Sequence, residues 1–168
     1  IEEFRNILDR DYFKNLQQEK FGSYLTNSVD LFNKGNLYYY GLNGEKDYLK
    51  AKQCYKSSQK DNSDSLFMLG KMHYEGNGLD KDISKAAYYF KLAASKGNSE
   101  SNFMLGIINL EDDNKLAREY FELSSVHQNS KASLELGKLY EKDTDIQHDY
   151  IKAKNYYILS IIQGNSLA

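Results

Sequence analysis

Apolar and small side chains recur three and four residues apart along most of this chain, and polar breaks interrupt them at regular distances. The breaks fall at Asp61-Asn62, Gly97-Asn98, Gln128-Asn129 and Gly164-Asn165. Spacing of three and four is the period of a helix with one buried face, and Gly, Asn and Asp clusters are turn chemistry. Between breaks the pattern holds two helices, A and B. Helix A is predicted over about 28–40, 64–74, 100–110 and 131–141, and helix B over about 48–59, 83–95, 114–126 and 150–163. Asp47, Asp82 and Asp149 stand just before B helices, where a carboxylate accepts the free N–H groups of a first turn.

The pattern is a repeat. Residues 60–70 read KDNSDSLFMLG and residues 96–106 read KGNSESNFMLG, identical at eight of eleven positions. The glycine closing that phrase recurs as Gly35, Gly70, Gly106 and Gly137, at spacings of 35, 36 and 31. An alanine keeps pace with it: Ala51, Ala86, Ala117 and Ala153. Aromatic residues follow one helical turn later at Tyr55, Tyr89-Phe90, Tyr120-Phe121 and Tyr156-Tyr157, then small residues at Ser57-Ser58, Ala93-Ala94 and Ser124-Ser125. A glycine inside a helix costs about 1 kcal/mol relative to alanine. Its recurrence predicts close helix contact, with helix B approaching Gly70 and seating Ala86 opposite it. Neither helix buries its apolar stripe alone, so stacking is obligatory. The expected fold is all-α, an α/α superhelix: a solenoid of antiparallel helix pairs.

Composition narrows the chemistry. The 168 residues carry a net charge of -2, which offers no basic field for nucleic acid or anionic lipid. No apolar run approaches the roughly 20 residues of a membrane span, so no direct membrane insertion is expected. Cys54 is the single cysteine, which excludes an internal disulfide framework and a multi-thiolate metal site. With no Asn-x-Ser/Thr acceptor either, the sequence favours the cytoplasm over the ER lumen without deciding between them. His73, His127 and His148 are scattered, and His73 takes the place of Tyr38 and Tyr140 in neighbouring units, which points to packing. Cys54 takes the place of Tyr89, Tyr120 and Tyr156 and reads as structural. Gly76-Asn77-Gly78 and 41–44 lack the Lys-Ser/Thr of a phosphate loop. Residues 143–149 hint at a calcium loop, but His148 stands where glycine is required and Lys154 where a bidentate Glu is required. Glu111-Asp112-Asp113 reads as a solvated loop beside a helix N-terminus. No catalytic, cofactor or metal constellation emerges, and the expectation is a non-enzyme without cofactors.

The spaced set small-x-x-x-Leu-Gly-x-x-Tyr-x-x-Gly, Asp-x-x-Lys-Ala, Tyr-x-x-Ala-Ala and Gly resembles the Sel-one-like repeat (SLR) family, relatives of the tetratricopeptide repeats. Unit two carries it at Ser65, Leu69-Gly70, Gly76, Gly78, Asp82, Lys85-Ala86, Tyr89-Phe90, Ala93-Ala94 and Gly97. Unit four carries it at Ala132, Leu136-Gly137, Tyr140, Asp149, Lys152-Ala153, Tyr156-Tyr157 and Gly164. Unit one has Lys34 where Leu is usual, and unit three is shortened between Gly106 and Ala117. The resemblance divides the chain into four units at about 28–63, 64–99, 100–130 and 131–164, with 1–27 an N-terminal capping helix or degenerate repeat. Residues 164–168 read as the opening of a fifth unit, and the expectation is that the chain is a segment of a longer array.

What the resemblance implies is an adaptor: a scaffold holding a protein or peptide partner, in a multi-protein and sometimes membrane-linked complex. The alternative it implies is a repeat segment that regulates or is attached to an enzyme, such as a ubiquitin ligase or a chitin synthase complex. Secreted cysteine-rich SLR proteins linked to β-lactam binding have paired cysteines, which this chain lacks. Self-association through the solenoid ends is a further possibility. By analogy with tetratricopeptide geometry, the concave face is lined from positions six and three before the anchor glycine and one, four and five after it. These are Phe32, Asn36, Tyr39 and Tyr40; Phe67, Lys71 and Tyr74; Phe103, Ile107 and Leu110; Leu134, Lys138 and Glu141. Aromatic and apolar groups with few charges form interface cores. The phenylalanines have a second reading, as packing between A helices of adjacent units.

Overall fold

The structure, a computed structural model, describes residues 27–142 and 149–164. Among these residues there are eight α-helices and no strand: α1 (Ser28–Tyr40), α2 (Tyr48–Ser58), α3 (Ser63–Glu75), α4 (Ile83–Ser95), α5 (Ser99–Asn109), α6 (Asn114–Val126), α7 (Ser130–Lys142) and α8 (Tyr150–Ile162). Odd-numbered helices are the A helices and even-numbered ones the B helices. The predicted limits hold for α1, α4 and α6, differ by one residue at the C-terminal end of α2 and α8, and differ by one residue at both ends of α3, α5 and α7. The expected cap over residues 1–26, most of the rejected calcium loop and the fifth unit after residue 164 lie outside the described residues.

Each start is fixed by a side-chain cap, and the two helix types use different ones. A helices are capped by amides: Asn27 accepts from the Val29 N–H, Asn62 from Ser65, Asn98 from Ser101, and Asn129 from Lys131 and Ala132. B helices are capped by carboxylates: Asp47, Asp82, Asp113 and Asp149 accept from the N–H groups of Lys50, Lys85, Leu116 and Lys152, all at 2.9 Å. Asp113, expected as a solvated loop residue, is therefore the fourth member of the series. Helices α1 and α3 stop at Gly41 (φ 67°) and Gly76 (φ 76°), left-handed positions that glycine takes without a Cβ clash.

Successive helices pack on one another in chain order, and the short connections make neighbours antiparallel. Within a unit the anchor glycine meets a ring, not an alanine. A Cβ on Gly70 would lie 2.7 Å from Cδ1 and Cε1 of Phe90. Gly35 faces Tyr55, Gly106 faces Phe121 and Gly137 faces Tyr157 in the same way. This corrects the expectation that Ala86 sits opposite Gly70. The alanine is fully buried elsewhere in the packing, and the glycine is the floor on which the aromatic ring lies.

The third unit shows that this seat is the conserved geometry of the array. Gly106 and Phe121 are 15 residues apart, whereas Gly35–Tyr55, Gly70–Phe90 and Gly137–Tyr157 each span 20. The shorter unit trims the end of helix A and the loop at 110–113, and the ring still lands on its glycine.

Between units the small positions form close, hydrogen-bonded seams. Ser58 and Ser65 hydroxyls meet at 2.6 Å, as do Ser125 and Ser133. Within a unit, Ser160 of α8 donates to the Ser130 carbonyl of α7 at 2.7 Å and Ser124 of α6 to the Ser99 carbonyl of α5 at 3.1 Å. These hydroxyls are buried yet paired, which avoids the penalty of a desolvated polar group. Buried apolar side chains form a row of clusters: Tyr39, Ala51, Tyr55, Met68, Leu69 and Met72 across α1–α3; Ala86, Phe90 and Leu105 across α4–α5; Ala117, Phe121, Leu136, Tyr140 and Ala153 across α6–α8. The core is therefore quasi-one-dimensional, as in a solenoid.

Candidate functional site

Helical geometry sorts the positions expected to form a face into distinct roles. The glycine faces the B helix, and positions three before and four after it lie on the adjoining edge, toward the next unit. The phenylalanines at the first of these tilt onto the ring seated on their own glycine. Phe32–Tyr55, Phe67–Phe90 and Phe103–Phe121 have centroid separations of 5.9, 5.6 and 5.8 Å, at 44°, 42° and 45°. Tyr39, four after Gly35, is only 5% exposed and packs with Met68 and Met72 of the next unit. Its hydroxyl donates to Glu75 at 2.6 Å and accepts from Asn77 at 2.9 Å, and Asn77 also donates to Glu75. Burial, then the Glu75 carboxylate, push its phenol above the ordinary range. Tyr39 thus stands behind the A-helix face. Asn36 is engaged in the same manner, accepting from the Tyr55 hydroxyl at 2.8 Å.

The remaining positions reach solvent. Tyr40 is 43% exposed, and Lys71, Tyr74, Ile107, Leu110 and Lys138 are half-buried. The Lys81 ammonium sits 5.9 Å over the Tyr74 ring, and Lys71 sits 5.7 Å over Tyr39 while pairing with Glu75 at 3.9 Å. Glu141 is exposed and accepts from the Tyr157 hydroxyl at 2.6 Å. Tyr157 is pushed up to about 12, by burial first and by Glu141 second. Leu134, Lys138 and Glu141 of α7 share an open groove of about 640 Å³ with Tyr157, Ile158 and Ile161 of α8. Sequence reasoning missed Glu75, Asn77 and Lys142. Glu75 and Lys142 lie five after their glycines, the position assigned to Tyr40 in unit one, so the register itself held the signal.

Among the described residues no reactive group stands out chemically. Burial raises the Cys54 thiol, which disfavours the nucleophilic thiolate. His73 stacks on Tyr89 at 5.7 Å and 10°, and burial lowers its imidazole. Ser57 and Lys60 share the Ser-x-x-Lys spacing of some acyl-transfer enzymes, but the Ser57 hydroxyl donates to the Gln53 carbonyl at 2.9 Å. Among the described residues no three His, Cys, Asp or Glu side chains gather as a metal site, and no helix is long and apolar enough to cross a membrane.

The Sel1 repeat profile matches residues 31–58, 63–98, 99–125 and 130–165. No curated protein matches the chain. Among solved structures it is similar to a protective antigen of uropathogenic Escherichia coli strains that displays an SLR fold, 26% identical with a TM-score of 0.77, over 84% of this chain and 32% of that one. A Sel1 repeat protein from Oxalobacter formigenes has the same fold at 24% identity and a TM-score of 0.74, over 82% and 57% of the two chains. An immunity protein from Pseudomonas aeruginosa is 28% identical, with a TM-score of 0.59, over 83% and 53%. The chain therefore spans about a third to somewhat over half the length of these proteins. Four profile matches covering most of the chain, glycines seated under B-helix rings and small seam positions lead to one conclusion: the chain belongs to the Sel1 repeat family, whose helical arrays generally act as non-catalytic scaffolds for protein–protein interaction.

Proposed function

We propose that this array is a non-enzymatic adaptor that holds a peptide or a partner domain on the concave face of its A helices. One observation carries the reading. On successive A helices Lys71, Ile107 and Lys138 stand one after their glycines, Tyr74 and Leu110 four after and Tyr40 five after, and all six keep accessible surface. Half-exposed aromatic and aliphatic groups on a rigid helical support present large contact area at low entropic cost. Glu75, Glu141 and Lys142 add a charged margin that supplies orientation more than affinity.

Tyr40→Ala combined with Tyr74→Ala tests the face. The double variant is expected to keep its helical circular dichroism and cooperative unfolding while losing capture of the partners that the unaltered chain retains in affinity purification. Capture at the original level by a folded double variant would contradict this placement. Tyr39 is left intact because its loss would unpick the seam between the first two units.

A further inference from the structure

The junctions between units repeat one geometry, and one junction lacks a side chain that another has. At the first junction six positions meet: Tyr39 and Tyr48 from unit one, Met68, Lys71, Met72 and Glu75 from α3. Tyr39 fills the space among them. Its ring lies 5.3 Å from Tyr48 at 69°, under the Lys71 ammonium, with its hydroxyl on Glu75. At the third junction the same register positions are Leu110, Asn114, Glu135, Lys138, Leu139 and Lys142. These six residues line a cavity of about 250 Å³. Leu110 stands in place of Tyr39 and Asn114 in place of Tyr48, so two rings are absent and the space they would occupy is open.

We propose that this cavity is a slot for one aromatic side chain of a partner protein, a tyrosine or phenylalanine carrying a neighbouring carboxylate that Lys142 receives. The slot deepens the adaptor reading and rests on it, since Leu110 and Lys138 belong to the face described above. Three features select the occupant. The volume lies below the roughly 300–1,000 Å³ of ordinary small-molecule sites, and the equivalent space in this same molecule is filled by the Tyr39 ring packed against Tyr48. Leu110 and Leu139 supply apolar walls. The charge at the rim is reversed. Where Glu75 accepts the Tyr39 hydroxyl, the third junction has Lys142, exposed and without an ion pair among the described residues. Glu135 does not offset it, because Lys138 neutralises that carboxylate at 2.7 Å. Among the six lining residues Lys142 is then the one charge without an opposite partner, and the ligand's carboxylate is the group proposed to meet it.

Titration of the full chain with N-acetyl-tyrosinate and with N-acetyl-tyrosinamide, followed by backbone amide chemical shifts, tests the slot. The carboxylate is expected to shift Leu110, Asn114, Leu139 and Lys142 saturably and to bind about threefold tighter than the amide, the worth of one exposed ion pair. Leu110→Tyr, which puts back the ring of the first junction, should weaken both ligands by about tenfold, because the slot is already full. Lys142→Gln should make the two ligands equal. Shifts that map elsewhere, or undiminished binding to Leu110→Tyr, would overturn the slot. An amide that binds the unaltered chain as tightly as the carboxylate would overturn the role of Lys142. Should Leu110→Tyr fail to fold, the exposed Lys142→Gln variant still decides. Neither ligand is a partner protein, so an occupied slot with unchanged partner capture by the Tyr40/Tyr74 variant would refute the wider face and leave the slot standing.

Discussion

A helix-interior glycine is unfavourable unless something needs the space of its missing side chain, and here the something is a ring. Phe90 is fully buried, so it has nowhere to retreat if Gly70 gains a methyl group 2.7 Å from its ring atoms. Overpacking of this kind costs about 1–3 kcal/mol, against about 1 kcal/mol gained in helix propensity. Gly70→Ala is therefore expected to lower the denaturant midpoint, with Phe90→Leu partly rescuing it in a double-mutant cycle. An unchanged or raised midpoint for the single variant would contradict the seat. The glycines themselves were legible in the sequence as close-approach positions. Their partner was not, because a repeat period says which residues are equivalent and nothing about which of them face each other.

At the level of the element, carboxylate caps give three of the B helices, α2, α4 and α8, a pH dependence that the amide-capped A helices lack. The carboxyls of Asp47, Asp82 and Asp149 are held below their ordinary value of 3.8, first by the backbone N–H groups at 50, 85 and 152, then by the nearby lysines. A carboxyl depressed in the folded state contributes stability that is complete above its unfolded value and is lost as pH falls through the folded one. The expected result is a melting temperature that declines as pH drops below about 4 and into the depressed range. Replacing all three by Asn keeps an acceptor at each N-cap and should flatten that decline while leaving helix content at neutral pH unchanged. An equally steep acid limb in the triple variant would assign it to other carboxylates. Helix limits and three of these caps follow from local spacing. Asp113 escaped because the shortened loop broke the Asp-x-x-Lys pattern: Leu116 stands where Lys50, Lys85 and Lys152 pair with their aspartates.

Across the described residues, the array is a chain of nearest-neighbour interfaces, and its last described B helix differs from the inner ones. On α8, Ile158 and Ile161 are 44% and 54% exposed. The positions equivalent to them in the inner units hold Lys56, Lys91 and Glu122, and Gln59, Ala94 and Ser125. In those units this side of helix B receives the next A helix, as the Ser125–Ser133 bond and the Tyr140 hydroxyl donated to Glu122 at 3.2 Å show. An apolar side in that place predicts concentration-dependent self-association of the chain in sedimentation experiments. Ile158→Lys with Ile161→Ser, residue types borrowed from the inner units, should restore a monomer. A monomeric unaltered chain over the same concentration range would refute the prediction. The phenylalanines, expected either on the binding face or between A helices, turn onto their own unit's rings, Phe67 also packs against the cluster across α1–α3, and Tyr39 is buried in the seam. A face assigned by register carries position along a helix but not rotamer, and the rotamer follows from what the neighbouring unit leaves open.

The sequence by itself determined the repeat, the helix pairs, their ends and the positions that must stay small, because periodicity, capping and turn chemistry act over a few residues. Only the tertiary structure decided that the glycine receives a ring, that Asn36 and Tyr39 are held by internal hydrogen bonds, and that the third junction is open where the first is filled. Those outcomes depend on side chains brought together from different helices. The space left at a junction is the difference between two packed surfaces, and neither surface can be read from its own strand of sequence alone.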